Sequence, residues 1–382
     1  MYRLFHRCLS VLLLLLPGGL LAEPIPEAPQ LPVRSFILED FHSGRMLAGK
    51  EPDTRMEPAS ITKLMSAYVI YKSLQEGSIK LTDQVHISEK AWRMEGSRMF
   101  VEVDSRVSVE DLILGMVIQS GNDATVALAE HVAASESAFV VLMNQQAREL
   151  GLEDSHFTNA TGLPHPDHYM SARNIARLVR TIIQEFPNHY SRYAIKSFTY
   201  NDITQHNRNR LLWQDEAVDG VKTGHTSSAG YCLVASAARD NTRFIAVVLG
   251  AETEQERFSS SQTLLNYGFR FFETHKLYDA MDPLREEQIW KGEVDRLALG
   301  LAEDLYVTIP KGRYADMDAA LSINAPIEAP ARRGMPFGNV LVTLDDDLIA
   351  NAPLVALRNV EPAGIVGRSV DQLLLMFRSL ID

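Results

Sequence analysis

The chain begins with a short basic stretch and an apolar run, and then settles into alternating and helical patterns. Val11 to Leu16 form an apolar run, preceded by Arg3 and Arg7 and broken by Pro17, Gly18 and Gly19. With Ala22 at its end, the stretch 1–22 has the layout of an export signal, and its apolar part is too short to cross a bilayer. Residues 23–34 are rich in proline and polar side chains, which predicts a linker. Ser35 to Leu38 and Arg45 to Ala48 read as two strands around a turn at His42-Ser43-Gly44. From about Ser60 the apolar spacing becomes helical and continues through Leu64 to Leu74. Further helices are predicted over Val109 to Ile118, Ala124 to Val132 and Glu136 to Leu150, the last stopped by Gly151.

Beyond Asp219 the period changes from helical to strand-like. Lys222 to Thr226, Tyr231 to Ala237 and Phe244 to Leu249 are β-rich, with a turn at Asp240-Asn241. Strands, then helices, then strands predict an α+β domain over 35–275, with helices packed on an antiparallel sheet. From 276 to 366 short alternating segments such as Leu305 to Ile309 and Val340 to Leu344 are punctuated by Pro310, Pro326, Pro330, Pro336 and Pro353. That pattern predicts a small all-β domain. Residues 367–382 are different again. At helical spacing Val370, Leu373, Leu374, Met376, Phe377, Leu380 and Ile381 share one face, with Arg368, Asp371, Gln372, Arg378 and Asp382 opposite and Leu375 as the one exception. This is an amphipathic helix, either docked on its own domain or lying in a membrane surface. Its charges cancel, so anionic lipid adds little attraction.

Composition sharpens this outline. A chain of 382 residues with 46% hydrophobic and 23% charged residues suits two globular domains. The net charge is −12, and loss of the signal with Arg3 and Arg7 takes it to −14. No basic stripe is present, which argues against nucleic acid as a partner. Of the two cysteines, Cys8 lies in the signal and Cys232 in an apolar run, so an exported protein of this kind relies on its core and not on a disulfide. Cys232 reads as a small buried hydrophobe. The eleven histidines are scattered and no Cys/His cluster has zinc spacing, so neither a metal site nor a cofactor is predicted.

Three short strings carry the chemistry: Ser60-Ile61-Thr62-Lys63, Ser120-Gly121-Asn122 and Lys222-Thr223-Gly224. Together they match the S-x-x-K, S-x-N and K-T-G set of serine acyl-transferases that penicillin acylates. Three residues apart on a helix, Ser60 and Lys63 share a face, so the amine can take the hydroxyl proton. A lysine serves as that base if burial or a neighbouring cation lowers its pKa, and Lys222 is a candidate neighbour. Ser120 can relay a proton to a leaving group, and the Asn122 amide can both donate and accept. A plainer reading makes Gly121 a helix stop and Asn122 or Asp123 the next N-cap. Gly224 admits a substrate backbone, Lys222 and Thr223 offer charge and a hydroxyl to a carboxylate, and the N–H groups of His225 and Ser60 suit an oxyanion hole. The side chain of His225 itself reads as structural.

The chain resembles the low-molecular-mass penicillin-binding proteins that act as serine D-alanyl-D-alanine carboxypeptidases, peptidase family S11. The resemblance runs from about Pro32 to the C-terminus. It includes Ala91-Trp92, Ser97 with Met99-Phe100, Gln119 to Asp123, Asn207-Arg208-Asn209, Leu211-Leu212-Trp213, Asp219 to Thr226 and Gly268 to Thr274. It implies the transpeptidase-like fold of that family, a peptidoglycan stem peptide ending in D-Ala-D-Ala as substrate, and covalent inhibition by β-lactams. It further implies Ser60 as nucleophile, Lys63 as base, Ser120 and Lys222 as proton-transfer aids, and Thr223 and Arg208 as carboxylate contacts. Arg257 lies where the family places an arginine near the cleft, though an ion pair with Glu254 or Glu256 explains it as well. The implied location is the periplasm, at the outer face of the cytoplasmic membrane, with the terminal helix in peripheral contact. Two features depart from the family pattern: the stretch Arg93-Met94-Glu95 is short, and the terminal helix is near neutral. A β-lactamase is the main alternative, but its deacylating glutamate has no counterpart among Glu130, Glu136, Glu149 or Glu153 in the required context. A non-catalytic penicillin-binding scaffold or sensor fits poorly with an intact motif set, and a strict transpeptidase shares the acyl-enzyme.

Overall fold

A computed structural model describes residues 25–378. The export signal expected over 1–22 lies outside the described residues, as do the last four positions of the terminal helix.

Five strands form the central sheet: β1 (Ser35–Asp40), β2 (Met46–Lys50), β3 (Val218–Thr226), β4 (Gly230–Arg239) and β5 (Thr242–Ala251). Their order is β2-β1-β5-β4-β3, all antiparallel. The two sides of β5 show why its sequence is apolar throughout. Ile245, Val247 and Leu249 pack with helices on one face, while Phe244, Ala246 and Val248 pack with a different helix on the other. Both faces are covered, so the strand shows no polar alternation.

The first face carries α1 (Lys63–Gln75), α2 (Val109–Leu114), α3 (Asn122–Ala133), α4 (Glu136–Glu149) and α5 (Ala172–Glu185). α1 is buried almost all round, from Lys63 through Tyr71. α5 is the most amphipathic of them, burying Ile175, Leu178, Val179, Ile182 and Ile183 at helical spacing. The second face is covered by α6 (Glu254–Phe271), whose start is fixed by a capping box between Thr253 and Glu256.

Several expectations shift. The linker over 23–34 is not loose in its described part: Ala28 and Leu31 pack against the α6 side of the core, Val33 is buried, and Tyr267 Oη donates to Pro26 O at 3.1 Å. The helix expected over Val109 to Ile118 is α-helical only to Leu114. A π-helical turn, Gly115–Gln119, follows it and leaves Ser120 left-handed at φ +67°. Ser60 lies on a 3-10 turn, Ala59–Thr62, immediately before α1.

Beyond α6 the chain forms β6 (Phe272–Tyr278), β7 (Pro283–Trp290), β8 (Arg296–Leu301), β9 (Leu305–Pro310), β10 (Met317–Ile323), β11 (Ile327–Glu328), β12 (Pro336–Leu344) and β13 (Asp347–Ala356). Six of them make a sheet in the order β10-β12-β13-β8-β7-β11, around a separate apolar cluster. β6 pairs with β9, so the division expected between 275 and 276 falls inside a strand of the second unit. The two units meet where Thr274 Oγ1 donates to Asp40 Oδ2 at 2.6 Å and His42 stacks on Tyr306 at 4.5 Å.

The last helix, α7 (Ile365–Arg378), touches the β unit through polar atoms, with Lys291 N donating to Asp371 Oδ2 at 2.5 Å. Ile365, Val366, Val370, Leu373 and Leu374 are exposed. Among the described residues, no single helix is long and apolar enough to cross a membrane.

Gly268 marks a close approach of α6 to the sheet: a Cβ there would lie 2.8 Å from the buried Phe244 ring. Gly268→Ala is expected to lower unfolding free energy by about 1–3 kcal/mol through overpacking. Urea unfolding followed by far-UV circular dichroism checks this, and an unchanged midpoint contradicts it.

Candidate active site

Ser60 projects from its turn under local constraint. Ala59, the residue before it, has φ +48°, a left-handed conformation costly for a residue with a side chain. The constraint comes from the loop 158–163. Gly162 presses so closely on Ala59 that no side chain fits between its α-carbon and the Ala59 carbonyl. Asn159 Oδ1 shapes that loop by accepting from the N–H groups of Thr161, Gly162 and Leu163 at 2.7–3.1 Å. His168 completes the support. Its Nδ1 accepts from Thr158 N at 3.2 Å, which leaves Nε2–H to donate to Thr62 Oγ1 at 2.8 Å. Thr62 in turn donates to Ala59 O at 2.8 Å. Burial pushes His168 down to about 4, so the ring is neutral and keeps this tautomer near pH 7.

Lys63 follows as the first residue of α1, and its side chain is 1% exposed. The amine meets three oxygens: Ser60 Oγ at 3.0 Å, Asn122 Oδ1 at 2.7 Å and Thr161 O at 2.8 Å. Two of the three are carbonyl-type oxygens that can only accept. A neutral amine with two N–H donors therefore satisfies Asn122 and Thr161, and its lone pair faces the one partner able to give a proton, Ser60. Burial, then the charge of Arg208, pushes the Lys63 amine down to about 7, against the opposing pull of Asp123.

Ser120 and Lys222 form the opposite wall, where Lys222 Nζ donates to Ser120 Oγ at 2.8 Å and to Thr223 O at 3.0 Å. Burial, followed by the charges of Lys63, Arg208 and Arg257, holds Lys222 well below the usual lysine range. Lys222 is buried, and Ser120 stands between its amine and the cleft as its side-chain partner. The cap expected of Asn122 or Asp123 is also corrected, because Gly121 takes the N-cap position. Asn122 instead joins Lys63 to Glu95 O, to which its Nδ2 donates at 2.6 Å. Asp123 accepts from the N–H groups of Met99, Phe100 and Val101 at 2.9–3.3 Å, which fastens the short loop after Arg93-Met94-Glu95 to the start of α3.

The cleft holds about 660 Å³, and Ser60, Ser120, Arg208, Thr223, Gly224, His225 and Arg257 all line it. β3 is the edge strand of its sheet. Gly224 lets it lie against the Ser60 turn, since a Cβ would fall 3.2 Å from Ser60 N. His225 stacks on Tyr231 at 4.0 Å. The Asn207-Arg208-Asn209 string divides its labour: Asn207 donates to Tyr193 O and Ile195 O, Asn209 donates to Gly220 O, and Arg208 between them turns to the cleft with Nε on Gln119 O at 3.1 Å. Arg257 is buried and paired with Glu254 at 2.8 Å, so the ion-pair reading and the cleft position hold together. Cys232 is buried opposite Gly224, and burial pushes its thiol up to about 11. Glu254 is the sole glutamate lining the cleft among the described residues. Glu130 receives Ser88 Oγ, Glu136 receives Ala160 N, Glu149 pairs with Lys72, and Glu153 borders a different depression.

Sequence reasoning had no signal for Thr161, which acts through its carbonyl, or for His168 and Asn159, which act through the loop. Arg210 also lines the cleft unannounced.

Relatives carry this arrangement further. Residues 22–253 match the family described as D-alanyl-D-alanine carboxypeptidase, peptidase S11, and residues 272–362 match the C-terminal domain of penicillin-binding protein 5. The chain is 42% identical over 361 residues to the D-alanyl-D-alanine carboxypeptidase DacA of Escherichia coli, spanning 92% of this chain and 90% of that one. It is 41% identical over 376 residues to DacC of the same organism, spanning 96% and 94%. The crystal structure of penicillin binding protein 5 from Haemophilus influenzae superposes with a TM-score of 0.85 at 41% identity, covering 87% of this chain and 99% of that one. A Ser–Lys pair, a second Ser–Lys pair and an edge strand converging on one cleft, in a chain this similar to those proteins along nearly its whole length, place it in the peptidase S11 family of D-alanyl-D-alanine carboxypeptidases.

Proposed function

We propose that the chain releases the terminal D-alanine from peptidoglycan stem peptides through an acyl-enzyme on Ser60. The observation that carries this reading is the enclosed Lys63 amine, which has one proton-giving neighbour, Ser60 Oγ, at 3.0 Å. In the first half-reaction Lys63 takes the Ser60 proton as Oγ adds to the penultimate carbonyl. The N–H groups of Ser60 and His225 stabilise the resulting oxyanion. The C–N bond then breaks. Ser120 Oγ–H protonates the leaving amine and draws a replacement proton from Lys222, which already donates to it. Water next adds to the ester, its proton passing through Ser120 back to Lys222, and Lys63 returns its proton to Ser60 Oγ as the shortened peptide leaves, so both lysines regain their starting states.

Binding follows from the edge strand. A substrate backbone adds alongside β3 as an extra antiparallel strand, with Gly224 giving room for the approach. The terminal carboxylate meets Thr223 Oγ1 and the guanidinium groups of Arg208 and Arg257. β-Lactams enter as mimics of this peptide end and stop at the ester. Among the described residues Glu254 is the one glutamate lining the cleft, and its carboxylate is taken up by Arg257 and Arg210, which leaves no counterpart to the deacylating glutamate of a class A β-lactamase. The amphipathic α7 supports peripheral contact with the outer face of the cytoplasmic membrane, through the side chains the fold leaves exposed.

Three outcomes are expected. Ser60→Ala lowers D-alanine release from a D-Ala-D-Ala peptide by more than about 10³-fold and removes penicillin labelling. Release that persists in this variant contradicts the mechanism.

The acylation rate rises as pH passes through about 7, because Lys63 acts as the neutral amine. Arg208 lowers the Lys63 pKa and Asp123 raises it. Arg208→Gln therefore moves the rate–pH midpoint up, and Asp123→Asn moves it down. Stopped-flow acylation by a chromogenic penicillin at saturation reads both, and a shared direction of shift refutes the assignment.

A chain ending at Gly367 is expected to lose binding to phospholipid vesicles while keeping D-alanine release. Sedimentation with vesicles measures this, and retained binding rules out the helix as the contact.

A further inference from the structure

Glu254 is the one acidic side chain among the described residues that line the cleft, and it sits between two arginines. Its Oε1 accepts from Arg257 Nη2 at 2.8 Å, and its Oε2 lies 3.2 Å from Arg210 Nη2. The contact joins the first residue of α6 to the residue after the Asn207-Arg208-Asn209 string. Both residues line the cleft, so the contact ties the helix to the loop along its wall.

The state of Arg257 shows that this pairing is incomplete. Its side chain is 6% exposed and packs over Tyr231 and Phe258, with the guanidinium carbon 5.3 and 4.8 Å from the ring centres. Nη1 has a long contact of 3.4 Å to Gly224 O, and Nε is buried with no hydrogen-bond partner. Nε–H and Nη2–H lie on one edge of the planar guanidinium, the edge that a carboxylate takes with both oxygens. Glu254 contacts Nη2 but not Nε, and its second oxygen is turned to Arg210. A buried donor left unpaired disfavours the free state and favours any ligand that completes it.

We propose that Glu254 is a specificity-determining residue that occupies the Arg257 edge in the free enzyme and yields it to the terminal carboxylate of the substrate. This rests on the carboxypeptidase reading above. In the exchange, Glu254 Oε1 leaves Arg257 while Oε2 stays on Arg210, so the displaced carboxylate keeps a cation. The incoming carboxylate takes both Nη2–H and Nε–H. A ligand with a neutral end, such as a C-terminal amide or an internal peptide, cannot replace an anion on a buried arginine and leaves Glu254 in place. Arg257 thus favours chain ends over internal bonds, and the competing carboxylate of Glu254 sets how strongly. Arg210 sets how readily Glu254 moves aside.

Two variants move the preference in opposite directions. Glu254→Gln keeps the shape and an acceptor but removes the competing charge. The kcat/KM ratio for a peptide ending in D-Ala-D-Ala carboxylate, relative to the same peptide ending in an amide, is expected to rise on the order of threefold to tenfold, mainly through KM. Arg210→Met leaves Glu254 with Arg257 as its main cation, and the ratio is expected to fall by a similar factor. A purely structural role lowers both substrates together in both variants and leaves the ratio where it was. That result, or a Glu254→Gln ratio below that of the unaltered enzyme, overturns the proposal. Loss of amide and carboxylate cleavage alike after Ser60→Ala tests the underlying reading separately, since the Glu254 proposal concerns the ratio alone.

Discussion

Everything chemical in this structure depends on enclosing one lysine amine among three oxygens. A buried ammonium is unfavourable, and the fold does not offset it with a carboxylate at bonding distance. It supplies Asn122 Oδ1 and Thr161 O, two acceptors that suit a neutral amine as well as a charged one, and Ser60 Oγ. Because the charged form lacks an anionic partner, burial and Arg208 bring the amine down to about 7. The three oxygens come from the Ser60 turn, the start of α3 and the loop 158–163. Each has its own support: Thr62 and His168 beneath the turn, Asp123 and the 99–101 backbone around α3, and Asn159 inside the loop. α1 brings Lys63 to the centre because the helix is apolar nearly all round and must be buried. The reactive group is thus a by-product of where the core places the end of that helix.

The second lysine shows how a similar environment serves a different end. Lys222 is also buried and also held low, yet its contacts are Ser120 Oγ and its neighbour's carbonyl. Two amines that repel one another cannot both hold a proton easily. A proton on one and a lone pair on the other is the arrangement an acyl transfer needs at the two sides of the scissile bond. Arg208 and Arg257 add to that repulsion while facing the cleft, where an incoming carboxylate opposes it.

The strands of the sheet, the helices before residue 150 and the three motif strings are legible in the sequence because each has a local signature. Strand period, helix period and three short strings each report on a few neighbouring residues. Arg208 was legible only through the resemblance of Asn207-Arg208-Asn209 to the family, and the two asparagines pin the backbone on either side of it. What the sequence concealed acts through the main chain or through distant pairing. Thr161 contributes a carbonyl, and its position depends on Asn159 and on Gly162 pressing against Ala59. The π-helical turn before Ser120 has no residue preference that announces it. α5 is the most amphipathic of the helices over the first face, and the spacing of Ile175, Leu178, Val179, Ile182 and Ile183 is the one signal that marks it. β6 crosses the expected division at 275/276 because its partner is β9, a pairing between distant segments that no local pattern announces.

The central claim is that Lys63 is neutral for a large part of the time near neutral pH. The most direct measurement is an NMR titration of the protein carrying lysine labelled with ¹³C at Cε, with the Lys63 resonance assigned by a Lys63→Met variant. The account predicts a midpoint at about 7, some three units below an exposed lysine. A Lys63 resonance that stays in the charged position through pH 9 would contradict it.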